Sequence, residues 1–186
     1  EQGGYELLEI GTPGGTTDFG PQITAAMELE PDAVFPAFVI EDAARFMQQA
    51  RARGLDAPFF DPMSQLTSRR LPELSGGAAI GLLASTPQSA DDIESFQAFL
   101  DRYEAIHGTA LDDPTYTGFG YDALMLIAKA MTDAGTTTDR AAIKAQIDSY
   151  TEECFSICFT NSGSGPFFAG DFYFVELTED GWVSAS

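Results

Sequence analysis

At 186 residues and 44% hydrophobic content, the chain is long enough to bury a core, as one domain or as two lobes sharing it, and disorder is not the default. It carries 29 Asp and Glu against 9 Lys and Arg, a formal net charge of -20, which argues against nucleic acid and anionic membrane surfaces, since both demand clustered basic residues. No apolar run is long enough to span a bilayer, and Glu1-Gln2-Gly3-Gly4 lacks the basic-then-apolar order of a signal peptide, so no membrane insertion of this chain is expected.

Tyr5 to Ile10 reads as a short strand, stopped by the turn-rich Gly11-Thr12-Pro13-Gly14-Gly15. Asp18 stands where an N-cap belongs, before a helix over 19–30 that Pro31 ends. A glycine-rich loop entering a helix invites a phosphate cradle, but there is no GxGxxG and no Gly-Lys-Ser/Thr, and Asp18 would repel the phosphate. Pro31 to Ile40 predicts a buried strand feeding an amphipathic helix over 41–53, whose Ala43, Ala44, Phe46, Met47 and Ala50 face inward. Such an apolar stripe is a core pattern rather than a ligand box. Further strands are expected at 57–63 and 78–85, with the dibasic Arg69-Arg70 between them as a solvated loop or helix end. Helices follow over 91–107, ended by Gly108, over 115–134, and over 139–150 with Asp139 as cap. His107 falls in a last helical turn, where a cation suits the helix dipole and no chemistry is implied. The last third is β-like at 154–160 and 171–178, with Trp182-Val183 after an Asp180-Gly181 turn, and reads as antiparallel. The expected class is α/β, a parallel sheet flanked by helices, with a C-terminal antiparallel β tail.

The acids are scattered over many segments, which suggests a solvated acidic shell that salt would screen; a salt-adapted source is one reading and an ordinary acidic extracytoplasmic protein the other. Cys154 and Cys158 are too few for a disulfide framework. Four positions along a straight strand span about 13 Å, so a bridge between them requires an intervening turn; separate thiols are the alternative. With His107 as the only histidine, no metal quartet can be assembled, and no cofactor is expected. There is no G-x-S-x-G elbow, and the acidic pairs Asp91-Asp92, Asp112-Asp113 and Glu152-Glu153 read as solvated loop and helix-start pairs, so catalysis is not expected.

Five stretches in order carry a resemblance: Thr17-Asp18-Phe19 opening a helix, Pro31-Asp32-Ala33-Val34-Phe35, Ala50-Arg51-Ala52-Arg53-Gly54-Leu55, Leu74 to Leu82, and Gly120-Tyr121-Asp122-Ala123. Together they resemble the type I periplasmic binding proteins, in particular the branched-chain amino-acid type of solute-binding protein of ABC transporters. The resemblance implies two α/β lobes joined by three crossovers, closing on a ligand held between them. It implies that residues 1–105 form the second-lobe core, without its first strand, that 106–170 belong to the first lobe after a crossover near 103–114, and that 171–186 return to the second lobe. Most of the first lobe is then absent, which makes the chain a fragment or a truncated relative. The implied partners are a small-molecule ligand and an ABC transporter permease, and the implied location is extracytoplasmic. A ligand-sensing module of a receptor with the same fold is the alternative.

Ligands of open α/β sheets sit beyond the carboxyl ends of the strands. That rule nominates Phe38, Val39, Ile40 and Asp42 after the central strand, and Met63, Ser64 and Gln65 after the next. Ile80 is added from the resemblance, which implies a glutamate for the ligand's ammonium between Ala-Ala and Gly. Isoleucine offers apolar contact only. The aromatic pair that the resemblance implies at the end of the opening strand is likewise replaced by Val39-Ile40. A free amino acid is then expected only if Asp42 or Asp61 supplies the charge, and an apolar or aromatic carboxylate or an amide fits as well.

Overall fold

The computed structural model describes residues 4, 6–87, 93–156, 158–161, 166–168 and 172–185. The elements run α1 (Gly20–Glu28), α2 (Ile40–Ala52), β1 (Phe60–Asp61), α3 (Leu71–Leu74), β2 (Leu83–Thr86), α4 (Glu94–His107), α5 (Pro114–Ala134) and α6 (Arg140–Ser149), then β3 (Glu152–Cys154), β4 (Cys158–Asn161), β5 (Pro166–Phe168), β6 (Tyr173–Thr178) and β7 (Gly181–Ser184). The main sheet has the order β1-β2-β6-β7. β1 pairs parallel with β2, while β6 runs antiparallel to both β2 and β7. A second sheet, β3-β4-β5, is antiparallel throughout. The expected mixture, a parallel core with an antiparallel tail, is present.

The helices fall where their sequence patterns place them, and α2 buries its amphipathic stripe against the core, whereas Ile106 of α4 and Leu124 and Ile127 of α5 stay exposed. On α2, Ala43, Ala44, Phe46, Met47 and Ala50 are all buried. Four aromatic rings lie at its centre: Phe19 is 5.2 Å from Phe38 and 5.7 Å from Phe46, and Phe46 is 6.1 Å from Phe59. Arg51 caps this group from outside. Its guanidinium lies 4.1 Å over the Phe59 ring and donates to the Ala57 carbonyl at 2.9 Å, and burial lowers its pKa.

The strands depart from expectation. Residues 6–10 form no strand, and Leu7, Leu8 and Ile10 are exposed. In the stretch 31–40 only Val34 is in register, as a parallel bridge to Phe59. Its N–H donates to Pro58 and its carbonyl accepts from Phe60, at 2.9 and 3.0 Å. Beyond it, Pro36 lacks a donor, and the bonds from Ala37 to Phe35 and from Phe38 to Pro36 curl the backbone before Ile40 enters α2. Among the described residues Val34 pairs on one side, with Phe59, where an interior strand was expected. The strand expected at 57–63 shortens to β1, and 78–81 are turns.

A second hydrophobic cluster stands apart from the first. Phe96, Phe99 and Leu100 of α4 join Leu111, with Tyr103 and Tyr121 packed against them. Gly108 and Gly135 close α4 and α5 in the left-handed region, at φ 71° and 65°. Asp139 caps α6 as expected, accepting from the amides of Ala141 and Ala142 at 3.0 and 3.1 Å. The buried Asp122 accepts from the Ser156 amide at 2.7 Å and its hydroxyl at 2.6 Å, and Ser95 donates to the Ser156 carbonyl at 2.8 Å. That one turn is thereby fastened to both α4 and α5. Strands β3 and β4 place Cys154 opposite Cys158, which supplies the turn that a bridge requires; their side chains lie outside the described residues. So do Tyr5, the pair Asp91-Asp92, the loop 162–165 and the return near Gly170.

Candidate ligand-binding site

The carboxyl ends of the Val34 segment and β1 lie side by side, and the loops leaving them form a rim. On the first, Val39 is the N-cap of α2 and is 69% exposed. Phe38 and Ile40 turn inward and pack against the core. Asp42, in the first turn of α2, is held at 2.9 Å by Arg45.

The loop after β1 is rigid because Asp61 organises it. This carboxylate is fully buried, and its two oxygens accept from the amides of Met63 at 2.9 Å and Leu66 at 2.7 Å. Ser64 is buried in the left-handed region at φ 57°, and its hydroxyl donates to the Ser85 carbonyl at 2.6 Å. Ser85 returns the bond to the Pro62 carbonyl at 2.7 Å. The reciprocal pair offsets the strain of a non-glycine left-handed residue. What this framework presents to solvent is Met63, 60% exposed, with the Gln65 amide 4.0 Å from its sulfur.

α5 approaches the same loop. The hydroxyls of Thr67 and Thr115 are 3.0 Å apart, while Arg69 N–H donates to the Asp112 carbonyl at 2.8 Å and the Ser68 hydroxyl to the same oxygen at 3.3 Å. Tyr116, the next residue of α5, is 54% exposed and stacks edge-on to Phe119. Burial and the Asp61 charge both hold its phenol above the ordinary value, so the hydroxyl remains a donor at neutral pH. Sequence reasoning missed Tyr116. Its signal was an aromatic residue in a helical first turn just after Asp113-Pro114.

The structure therefore exposes Val39 after the Val34 segment, sets Gln65 beside the exposed Met63 after β1, and adds Tyr116, whose phenol feels the Asp61 charge. It leaves Phe38, Ile40 and Ser64 beneath the rim as packing and support. Ile80 is not brought to this group. It lies in the turns before β2, at the amino end of that strand, with its N–H donating to Gly77. Asp61 is committed through both oxygens to backbone amides, and Asp42 engages Arg45 through one oxygen. Among the described residues no group of three or more His, Cys, Asp or Glu could hold a metal ion, and no helix is long and apolar enough to cross a membrane.

A family model described as periplasmic binding protein matches residues 1–181. The chain belongs to this family. As a family member it resembles the leucine-specific-binding protein of Salmonella typhimurium, with 28% identity over 124 residues, 66% of this chain and 32% of that protein. Among solved structures, the leucine binding protein of Thermotoga maritima superposes with a TM-score of 0.78 at 21% identity, covering 92% of this chain and 49% of that one. A solute binding protein of R. palustris, solved in complex with benzoate, superposes at 0.77 with 22% identity, covering 94% and 48%. The chain thus spans about half the length of these solved proteins and about a third of the curated relative. These relatives are solute-binding proteins rather than enzymes, and the type I periplasmic binding protein fold is common to them and to this chain.

Proposed function

We propose that the chain is the ligand-gripping part of the solute-binding component of an ABC transporter, acting outside the cytoplasm and delivering a small metabolite to a permease. The carrying observation is that Val39 and Met63 expose apolar side chains beyond the carboxyl ends of two paired segments, with the exposed Tyr116 within reach of the Asp61 charge in the loop after β1. This supports a ligand with an apolar body and a hydrogen-bond acceptor: an apolar or aromatic carboxylate, an amide, or an amino acid whose ammonium is bound by groups outside this chain. The two hydrophobic clusters support a division between two lobes; α4, expected in the second lobe up to residue 105, is here grouped with α5 in the first, because Phe99 of α4 packs on Tyr121 of α5. Capture proceeds by approach of the two lobes, with no bond made or broken.

Since the chain spans about half of its solved relatives, tight capture requires the other half of the fold. Calorimetry of the 186-residue chain against amino acids, amides and aromatic acids is expected to give no micromolar affinity, whereas the chain joined to a complete first lobe regains it. In the joined protein, Val39→Asp or Met63→Asp should weaken binding at least about tenfold, as burying an unpaired carboxylate against an apolar ligand demands. Micromolar binding by the 186-residue chain, or indifference to both substitutions, would refute the reading.

A further inference from the structure

A cavity of about 570 Å3 is lined in part by Thr67 and Arg69 of the 64–70 loop. Its floor is apolar, with Phe96 and Leu100 from the second cluster facing Val175 and Leu177 of β6. Trp182 of β7 forms a side wall and is fixed there by its indole N–H, which donates to the Ser68 carbonyl at 3.2 Å. The mouth carries Glu73, Glu179 and Asp180, all exposed, against the single cation Arg69. Among the described residues none of these four side chains is in an ion pair, and the Arg69 guanidinium has no hydrogen-bond partner. The volume lies in the range of small-molecule sites, and a pocket between two packed bodies is a common place for one.

We propose that this cavity is a second ligand site, for a small amphipathic cation such as an aryl- or alkylammonium. An apolar body fills the floor between Phe96 and Leu177. The ammonium lies at the mouth, where three carboxylates outnumber one guanidinium and the Trp182 ring offers a face for a cation. The net charge of -20 raises the local concentration of any cation approaching it. Because the walls come from both hydrophobic clusters, an occupant bridges them, so filling the site biases their relative position.

The test is a fluorescence titration of the 186-residue chain, whose single tryptophan is the one on the cavity wall. Benzylammonium is the probe, and benzoate, the same ring with the opposite charge, is the control. A saturable change of emission is expected with benzylammonium, and at least about tenfold weaker binding with benzoate. Glu73→Gln combined with Asp180→Asn should weaken benzylammonium about fivefold, and Arg69→Gln should tighten it. All three positions are exposed, so the variants keep the fold, which circular dichroism checks. Equal affinity for the two probes, no saturable response at tens of millimolar benzylammonium, or variants that leave the affinity unchanged would overturn the proposal.

Discussion

Replacing Asp61 by alanine tests how the rim is built. The carboxylate accepts two backbone amides, those of Met63 and Leu66, within a fully buried position. Hydrogen bonds to a charged acceptor contribute about 1.5 kcal/mol each, and a buried donor left without a partner costs at least as much. The expected loss is therefore about 3 kcal/mol, roughly two orders of magnitude in the folding equilibrium. With a urea dependence of about 2 kcal/mol per molar, the unfolding midpoint should fall by about 1.5 M. Asp32→Ala serves as the control, since Asp32 is exposed, and should stay within about 0.5 kcal/mol. Amide hydrogen exchange adds a local readout: Met63 and Leu66 should lose protection in Asp61→Ala while the α2 amides do not. If Asp61→Ala unfolds within about 0.5 kcal/mol of the parent, the two amides have other acceptors and the argument for a rim organised by this carboxylate is wrong.

Phe46→Ala removes the ring that touches Phe19, Phe38 and Phe59, and calorimetric unfolding should show a loss of about 3–5 kcal/mol. Asp139→Ala deletes the cap of α6 and should cost about 1 kcal/mol in the same assay, with far-ultraviolet dichroism reporting a shortened helix. The Asp133 carboxyl sits below its ordinary value because it accepts from Lys129 and Tyr150. A depressed folded pKa gives stability that is present above the unfolded value, near pH 4, and lost as the pH falls through the folded one. Asp133→Asn should therefore differ from the parent at neutral pH and converge with it in acid, by an amount that shrinks with added salt.

The helices were legible because burial repeats with their own period: Ala43, Phe46, Met47 and Ala50 recur on one face of α2, and the glycines after α4 and α5 occupy the left-handed caps. The strands were not. An apolar run such as 33–40 signals burial without saying whether the backbone has a neighbour on each side, and pairing is a property of the sheet as a whole. The carboxyl-end rule pointed to two loops, the one before α2 that holds Val39 and the one after β1 that holds Met63 and Gln65. It could not say which side chains turn outward, since Phe38 packs against the rings of Phe19 and Phe46 while Val39, one position later, caps a helix. Asp61 looked available for a ligand because the amides that occupy it belong to residues two and five positions on, in a turn that the left-handed Ser64 creates. Ile80 was selected through a likeness of local sequence, and position along the strand overrides such a likeness: it precedes β2 where the rim follows it.

The one-sided pairing of Val34 bears on how the chain behaves in solution. Phe35 beside it is 38% exposed, so among the described residues a short apolar segment is open to pairing with an extended peptide, a second copy of this chain included. What keeps copies apart at low ionic strength is their charge of -20. Raising the salt would quiet the repulsion within each molecule and at the same moment remove the barrier between molecules, so colloidal stability and folding stability should respond to salt with opposite sign.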